Sequence, residues 1–185
     1  MLRWFAAVLL LLAAGPALAG EPALFDAGGY RAQRYRAPVD LAPAPARRIA
    51  LTEALGLEPG RDAIFIDVNP APGARRDPVT GAWQLAEAHQ TIPGALWFPE
   101  TGRADPDPRL WRALRRRIAQ LRHRRAHAPV VVFCRADCWM SWNAARRLAL
   151  DGVSGVHWLA EGIDGWHDAG ARLVDGAPVP VRGGT

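Results

Sequence analysis

The sequence predicts an α/β domain whose central, mostly parallel sheet is flanked by helices on both faces. Three observations support this prediction. Short apolar runs occur at residues 63–68, 130–133 and 156–159, and such runs are typical of strands buried on both sides. Segments with helical periodicity or helix-ending residues separate these runs. Strands that alternate with helices favour parallel pairing, because each crossover needs a helix-length connection.

The first 19 residues have the features of an export signal. Arg3 supplies a positive charge, residues 4–14 are apolar, and the small-residue pattern Ala17-Leu18-Ala19 suits cleavage after residue 19. An uncleaved membrane anchor is the alternative, but spanning a bilayer needs about 20 apolar residues. We therefore expect a signal peptide over residues 1–19, a periplasmic protein, and no membrane contact after cleavage.

The charge of the chain is concentrated in one segment. All 23 basic residues are arginine, against 18 acidic residues, and they are densest between residues 109 and 125. Apolar residues recur at helical spacing through this segment, at Leu110, Leu114, Ile118 and Leu121. Asp107-Pro108 is a typical N-cap and first helical residue. We interpret the segment as an amphipathic helix with a solvated basic face, and we expect no nucleic-acid partner.

The remaining elements follow in order along the chain. Residues 20–48 are rich in Ala, Pro and Arg and predict an irregular extension that lies along the domain, with Tyr30 and Tyr35 as its apolar anchors. Thr52 is the expected cap of a short helix through Leu55, and residues 70–78 contain too many prolines for regular structure. We place the domain at residues 49–176 and a C-terminal tail at 177–185.

The second half supplies further strands and helices. Residues 92–97 form a turn that leads into a strand, and residues 130–133 are the most β-branched strand, which ends directly on Cys134. A helix is expected from Ser141 to Leu150, and a last helical turn near Trp166. Because ligands of parallel sheets bind beyond the carboxyl ends of the strands, Cys134 is the first candidate for chemistry.

The two cysteines, Cys134 and Cys138, lie four positions apart in the predicted loop. A structural disulfide is one interpretation for an exported protein, although so short a loop constrains the unfolded chain little. A reactive thiolate is the other, because Arg135 and the amino terminus of the next helix would favour its negative charge. Two cysteines are a small ligand set, so a soft-metal site, for instance for Cu(I), is a third and weaker alternative.

Four segments resemble those of rhodanese domains, in the same order. They are Ile64-Phe-Ile-Asp67-Val68, Ile92-Pro-Gly-Ala95, Val132-Phe-Cys134-Arg135, and Val156-His-Trp-Leu159 with the following Gly162 and Gly165-Trp166. The resemblance implies a rhodanese-like fold and a thiolate that carries sulfane sulfur as a persulfide. The loop after Cys134 departs from ordinary rhodanese loops, because it has no glycine, carries bulky side chains and contains a second cysteine.

A narrower resemblance covers residues 134–145, together with Tyr30-Arg31, residues 35–38 and residues 89–97. These segments are similar to the PQQ-dependent catabolism-associated CXXCW-motif proteins, which are exported and rhodanese-like. Three residues separate the cysteines here, whereas the family name specifies two. The resemblance implies a place in a PQQ-dependent alcohol dehydrogenase system. No PQQ-binding, haem-attachment or phosphate-loop pattern occurs in the sequence, so we expect no bound cofactor and no resident metal.

These interpretations give a set of candidate site residues. We expect Cys134 to be the nucleophile, Cys138 the resolving thiol and Arg135 an electrostatic aid, as a sulfurtransferase or a thiol–disulfide oxidoreductase. The remaining candidates are the loop residues Ala136, Asp137, Trp139, Met140 and Ser141, and the supporting residues Asp67, Trp142 and Asn143. His89 is expected to be a solvated loop residue. The alternative is a non-catalytic module whose disulfide-locked, Trp-rich loop docks an exported quinoprotein or cytochrome.

Overall fold

The computed structural model describes residues 23–182, which fold around a five-stranded parallel sheet. The strands are β1 (Arg47–Arg48), β2 (Ile64–Asp67), β3 (Arg75–Arg76), β4 (Trp83–Gln84), β5 (Gln90–Thr91), β6 (Leu96–Trp97), β7 (Val130–Phe133), β8 (Val156–Leu159) and β9 (Val174–Asp175). The helices are α1 (Leu51–Leu55), α2 (Pro108–Arg122), α3 (Trp139–Leu150) and α4 (Gly162–Asp168). The central sheet has the order β1-β8-β7-β2-β6, and all its pairings are parallel. The predicted α/β class is confirmed.

Two hydrophobic cores lie on opposite faces of this sheet. Successive side chains of a strand point to opposite faces, and β2 and β7 follow this rule. Ile64 and Ile66 belong to the larger core with residues of α2 and α3, whereas Phe65 belongs to the smaller core, which contains Ala54 of α1 and Trp166 of α4. Because both faces are covered, β7 is apolar throughout and β2 is apolar up to Asp67, its last residue, and functional side chains lie at the strand ends.

The amphipathic helix α2 follows its prediction closely. Asp107 is its N-cap and accepts a hydrogen bond from the Arg109 N–H at 2.7 Å, with Pro108 in the first turn. The buried residues are Leu110, Trp111, Leu114 and Ile118. Leu121 is only partly buried, and Trp111 extends the apolar stripe on the amino-terminal side.

Three predicted details of secondary structure are wrong. Helix α1 begins at Leu51 after the extended residue Ala50, so Thr52 lies inside the first turn and caps nothing. Helix α3 begins at Trp139, two residues before the predicted start at Ser141. The proline-rich segment 70–78 contains β3, which pairs antiparallel with β4, because its two arginines lie between the prolines and keep their backbone N–H groups free to pair.

The segments outside 49–176 pack against the domain. In the extension, Phe25 and Tyr35 contact the larger core, and the Tyr30 ring lies 3.9 Å from the guanidinium of Arg147, whose pKa is lowered by burial. The extension is not irregular to its end, contrary to the prediction. Its last two residues form β1, which pairs with β8 at the edge of the sheet. In the tail, Val181 is buried.

The predicted signal peptide, residues 1–19, lies outside the described residues. Among residues 23–182, no helix combines the length and the apolar character that crossing a membrane requires.

Candidate functional site

The two cysteines form a disulfide at the carboxyl end of β7. Their Cα atoms are 6.2 Å apart, and only 1% of Cys134 and 3% of Cys138 is exposed. Both line an open cavity of about 360 Å³. The segments 70–74 and 85–89 contribute most of its other lining residues, and Arg36 and Arg135 add two positive charges. The site is therefore a recessed disulfide that small molecules can reach.

Beside the disulfide, the buried carboxylate of Asp67 organises four hydrogen bonds. Its Oδ1 accepts from the backbone N–H and the side-chain Nδ2 of Asn69, both at 2.8 Å. Its Oδ2 accepts from the Thr91 hydroxyl at 2.6 Å and lies 2.7 Å from Nε2 of His89. Asp67 is completely buried, and these partners offset the desolvation of its charge. The carboxylate thereby fixes the side chains of Asn69 and His89 on the cavity wall.

The two sulfurs have different electrostatic surroundings. Asn69 donates through Nδ2 to Asp67, so its carbonyl oxygen Oδ1 faces Cys134 and lies 3.1 Å from Sγ. A neutral thiol can donate to this oxygen, whereas a thiolate would be repelled by it. Cys138 is the N-cap residue of α3, where the helix dipole favours negative charge. The surroundings therefore favour negative charge on Cys138 over Cys134.

Two backbone N–H groups of the loop are engaged elsewhere. The Ala136 N–H donates to Oδ2 of Asp164 at 3.0 Å, and the Trp139 N–H donates to the Tyr35 carbonyl at 2.9 Å. Asp137 has a positive φ of 51°, a conformation that aspartate tolerates better than most residues. Two amides that could have stabilised an anion on sulfur are thus already satisfied by other groups.

Arg135 forms an ion pair with a carboxylate of α4. Its side chain is 56% exposed, and its Nε lies 3.6 Å from Oδ1 of Asp164 on α4. From the opposite side, Arg36 donates through Nη1 to the carbonyl of Ala136 at 2.7 Å. Arg135 lines the cavity, and its ion pair is with Asp164.

The aromatic residues of the loop are covered by the extension. Trp139 and Trp142 are 2% and 4% exposed, and the Phe25 ring packs edge-on against Trp139 at 5.3 Å between centroids. The Arg31 guanidinium lies 4.9 Å from the Trp139 ring centroid. The two tryptophans therefore contribute to packing, and they do not form an exposed rim that could dock a partner.

The model of the Rhodanese-like domain family matches residues 53–169, which is more than half of the chain. This chain belongs to the rhodanese-like domain family. A solved structure, the thiosulfate sulfurtransferase from Pseudomonas aeruginosa, is 24% identical over 76% of this chain and superposes with a TM-score of 0.47. The match spans about a fifth of that longer protein, 22% of its chain. No curated protein matches the sequence.

The other candidate residues of this rhodanese-like domain are buried and support the site through packing and hydrogen bonds. Met140 is buried and lines the cavity. The Ser141 hydroxyl donates to the Cys138 carbonyl and accepts from Nε1 of Trp158, both at 3.0 Å. Asn143 is fully buried and bonds to the backbone of Arg31 in the extension. Ser141 and Asn143 therefore hold the loop and the extension in place around the site.

Sequence reasoning missed three polar residues that line the cavity, namely Arg36 of the extension and Asn69 and His89 of the rhodanese-like domain. His89 was expected to be solvated, but it bonds to Asp67 and its ring centroid lies 4.1 Å from that of Trp97. Its backbone carbonyl accepts from the Gly176 N–H at 2.7 Å, next to the pairing of β5 with β9. The residues next to His89 form no pattern that indicates this contact. Among residues 23–182, no group of His, Cys, Asp and Glu is arranged to hold a metal.

Proposed function

We propose that this protein is an exported, periplasmic rhodanese-like thiol–disulfide exchange protein that works through Cys134 and Cys138. The observation that carries the proposal is the disulfide on the floor of an open cavity at the strand ends. A substrate thiolate attacks one sulfur of the pair, the Cys134–Cys138 bond breaks, and a mixed disulfide forms. A second substrate thiol then displaces the protein, which releases an oxidised substrate disulfide and leaves both cysteines reduced.

The surroundings of the sulfurs give this exchange a direction. In the first step the sulfur that leaves becomes a thiolate, and the helix terminus at Cys138 stabilises that charge. The Asn69 oxygen beside Cys134 disfavours a thiolate there. We therefore assign the mixed disulfide to Cys134 and the leaving thiolate to Cys138. On return to the oxidised state, the Cys138 thiolate resolves any mixed disulfide on Cys134.

Sulfane-sulfur transfer is the second chemical route open to the same pair. A persulfide on Cys134 would need anion-stabilising donors, and the amides of Ala136 and Trp139 donate to other groups. We therefore rank disulfide exchange above persulfide transfer in the isolated protein.

A non-catalytic role is favoured by one separate observation. The loop is held by backbone hydrogen bonds from both sides, because the Ala37 N–H donates to the Asp137 carbonyl and the Ile163 N–H donates to the Cys134 carbonyl. A loop fixed in this way, with its disulfide closed, would serve as a rigid surface for an exported quinoprotein or cytochrome. Co-purification of the unreduced protein with such a partner, together with no thiol-exchange activity, would favour this role.

The biological setting that we propose is a PQQ-dependent alcohol dehydrogenase system. The support is the resemblance of residues 134–145 to the CXXCW-motif proteins and the export signal expected at residues 1–19. We propose that the partner is a component of that system and that the protein itself binds no cofactor.

Intact-mass analysis of protein isolated from the periplasm, with free thiols blocked beforehand, tests the chemistry directly. Disulfide exchange predicts the loss of two hydrogens and no alkylation until reduction, whereas sulfane-sulfur transfer predicts one added sulfur on Cys134. Incubation with a small disulfide after reduction then compares two variants. Cys138→Ser should accumulate a long-lived adduct on Cys134, and Cys134→Ser should react without forming a resolved product. Full thiol-exchange activity in Cys134→Ser would refute the proposal.

A further inference from the structure

We propose that His89, oriented by Asp67, is the proton acceptor that activates thiol substrates at the disulfide, and that these substrates are small-molecule thiols bound in their protonated form. This inference deepens the proposed function and rests on it. It assigns a catalytic role to His89 and a positioning role to Asp67.

The hydrogen bonds around Asp67 determine the tautomer of His89. Oδ1 of Asp67 accepts two donors from Asn69, and Oδ2 accepts the Thr91 hydroxyl. A carboxylate in these surroundings acts only as an acceptor. Nε2 of His89, at 2.7 Å from Oδ2, is therefore the protonated nitrogen, and the lone pair of the neutral ring is on Nδ1.

This lone pair is available to a bound molecule. Within the part of the chain that the structure describes, Nδ1 of His89 has no hydrogen-bond partner. The atom is not completely buried. The imidazole lines the same cavity as Cys134 and Cys138. Trp97 packs against the ring with an interplanar angle of 36°, and its own Nε1 donates to the Asn69 carbonyl at 2.9 Å. The ring is thus held from two sides, and its Nδ1 is left without a hydrogen bond.

The cavity favours small thiols over cysteines on folded proteins. Both sulfurs are almost completely buried and line a space of about 360 Å³. Arg36 lines the same space and is hydrogen-bonded to the loop carbonyl of Ala136. A side chain on a flat protein surface cannot reach so recessed a bond, whereas a small thiol can enter whole.

The proton and electron balance of the first step is complete without an added oxidant. The substrate thiol gives its proton to Nδ1 of His89, and its sulfur attacks Sγ of Cys134. The bond between Cys134 and Cys138 breaks, and its electron pair goes to Cys138 as a thiolate. The proton on His89 then passes to that thiolate or to water. The second substrate thiol reduces the mixed disulfide in the same way, so two thiols are oxidised and one protein disulfide is reduced.

The test compares two reductants that differ in whether they must lose a proton. 2-Mercaptoethanol is mostly protonated at pH 7, because thiols of this kind ionise above neutrality. A weakly basic arylphosphine is unprotonated at this pH, attacks disulfides directly and has no proton to lose. The rate of reduction of the full-length oxidised protein is followed by alkylation and mass for wild type, His89→Gln and the matched control His167→Gln. His167 is largely exposed on α4.

The expected result is a selective and pH-dependent defect. His89→Gln should slow reduction by 2-mercaptoethanol on the order of 100-fold at pH 7, which is the usual scale of general base catalysis. The defect should shrink towards pH 10, where the thiol ionises unaided, and reduction by the phosphine should be unchanged. His167→Gln should behave as wild type with both reductants. Thr91→Val, which removes one donor to Asp67, should show a smaller defect with the same selectivity.

Three outcomes would overturn the inference, and they are distinguishable. An equal loss with both reductants would mean that His89 acts through packing or access. No loss with either reductant would mean that the proton goes elsewhere, while the proposed exchange function would stand. If 2-mercaptoethanol fails to reduce even the wild-type protein that the phosphine reduces, the exchange function fails, and this inference fails with it. If His89→Gln does not give the wild-type circular dichroism spectrum, His89→Asn replaces it in the same comparison.

Discussion

Replacement of Asn143 by alanine should detach the extension from the cysteine loop. Asn143 is fully buried on α3. Its Oδ1 accepts from the Arg31 N–H at 2.9 Å, and its Nδ2 donates to the carbonyls of Arg31 and Gly102 at 2.9 and 3.0 Å. The substitution therefore removes three hydrogen bonds and leaves three backbone groups without their partner.

The size of the effect follows from these three groups. Each buried polar group left unsatisfied costs about 1–3 kcal/mol. Water can enter where the extension loosens, so the lower end of that range applies to each group. We expect Asn143→Ala to lower the free energy of unfolding by about 3 kcal/mol.

Urea unfolding followed by tryptophan fluorescence measures this loss, with Leu150→Ala as the control. Leu150 ends the same helix but is 54% exposed, so its truncation should change stability by less than about 0.5 kcal/mol. Limited trypsin digestion supplies a second readout, because a detached extension exposes the buried Arg31 to cleavage. A loss of less than about 1 kcal/mol for Asn143→Ala, with an unchanged digestion pattern, would refute the reasoning.

Three further predictions concern stability and use thermal or urea unfolding. Gly162→Ala should unfold the domain or cost several kcal/mol, because φ is 57° and a Cβ would lie 2.8 Å from the Arg135 carbonyl carbon. The control Gly152→Ala, whose Cβ would meet nothing within 4 Å at φ 84°, should cost only about 1 kcal/mol. Equal costs for the two variants would contradict the steric argument. Reduction of the disulfide should cost about 2 kcal/mol, since a five-residue loop restricts the unfolded chain little; a loss above about 4 kcal/mol would mean that the bond also holds native packing. Asp107→Ala should cost about 1–2 kcal/mol by removing the α2 cap and the 2.6 Å contact with Arg76, whereas an unchanged midpoint would show that neither interaction contributes.

The sequence predicted the elements whose determinants are local. The strand at residues 130–133 was identified with its observed bounds, because β-branched and aromatic residues favour a strand conformation. The position of Cys134 followed directly, since the residue after a parallel strand lies at the sheet edge where ligands bind. The cap of α2 at Asp107 was equally local. These features depend on neighbouring residues alone.

The features that the sequence did not reveal depend on contacts between distant segments. Helix α3 begins at Trp139 because the Tyr35 carbonyl, far back in the chain, accepts its N–H. His89 was placed in solvent because nothing adjacent to it indicates the carboxylate of Asp67, 22 residues earlier. The disulfide pairing was open for another reason, because the spacing of two thiols does not determine their oxidation state.

The contact between the extension and the cysteine loop also has a consequence for the order of assembly. Arg31 and Asn143 are 112 residues apart, so the ribosome makes the extension long before the helix that anchors it. Contacts of such sequence separation form late, because closing the intervening chain costs more entropy than local pairing. Cys134 and Cys138, only four residues apart, can meet as soon as their own segment exists. Oxidation of the thiols can therefore precede packing of the extension. The extension, although synthesised before the cysteines, is then the last segment to pack around the disulfide.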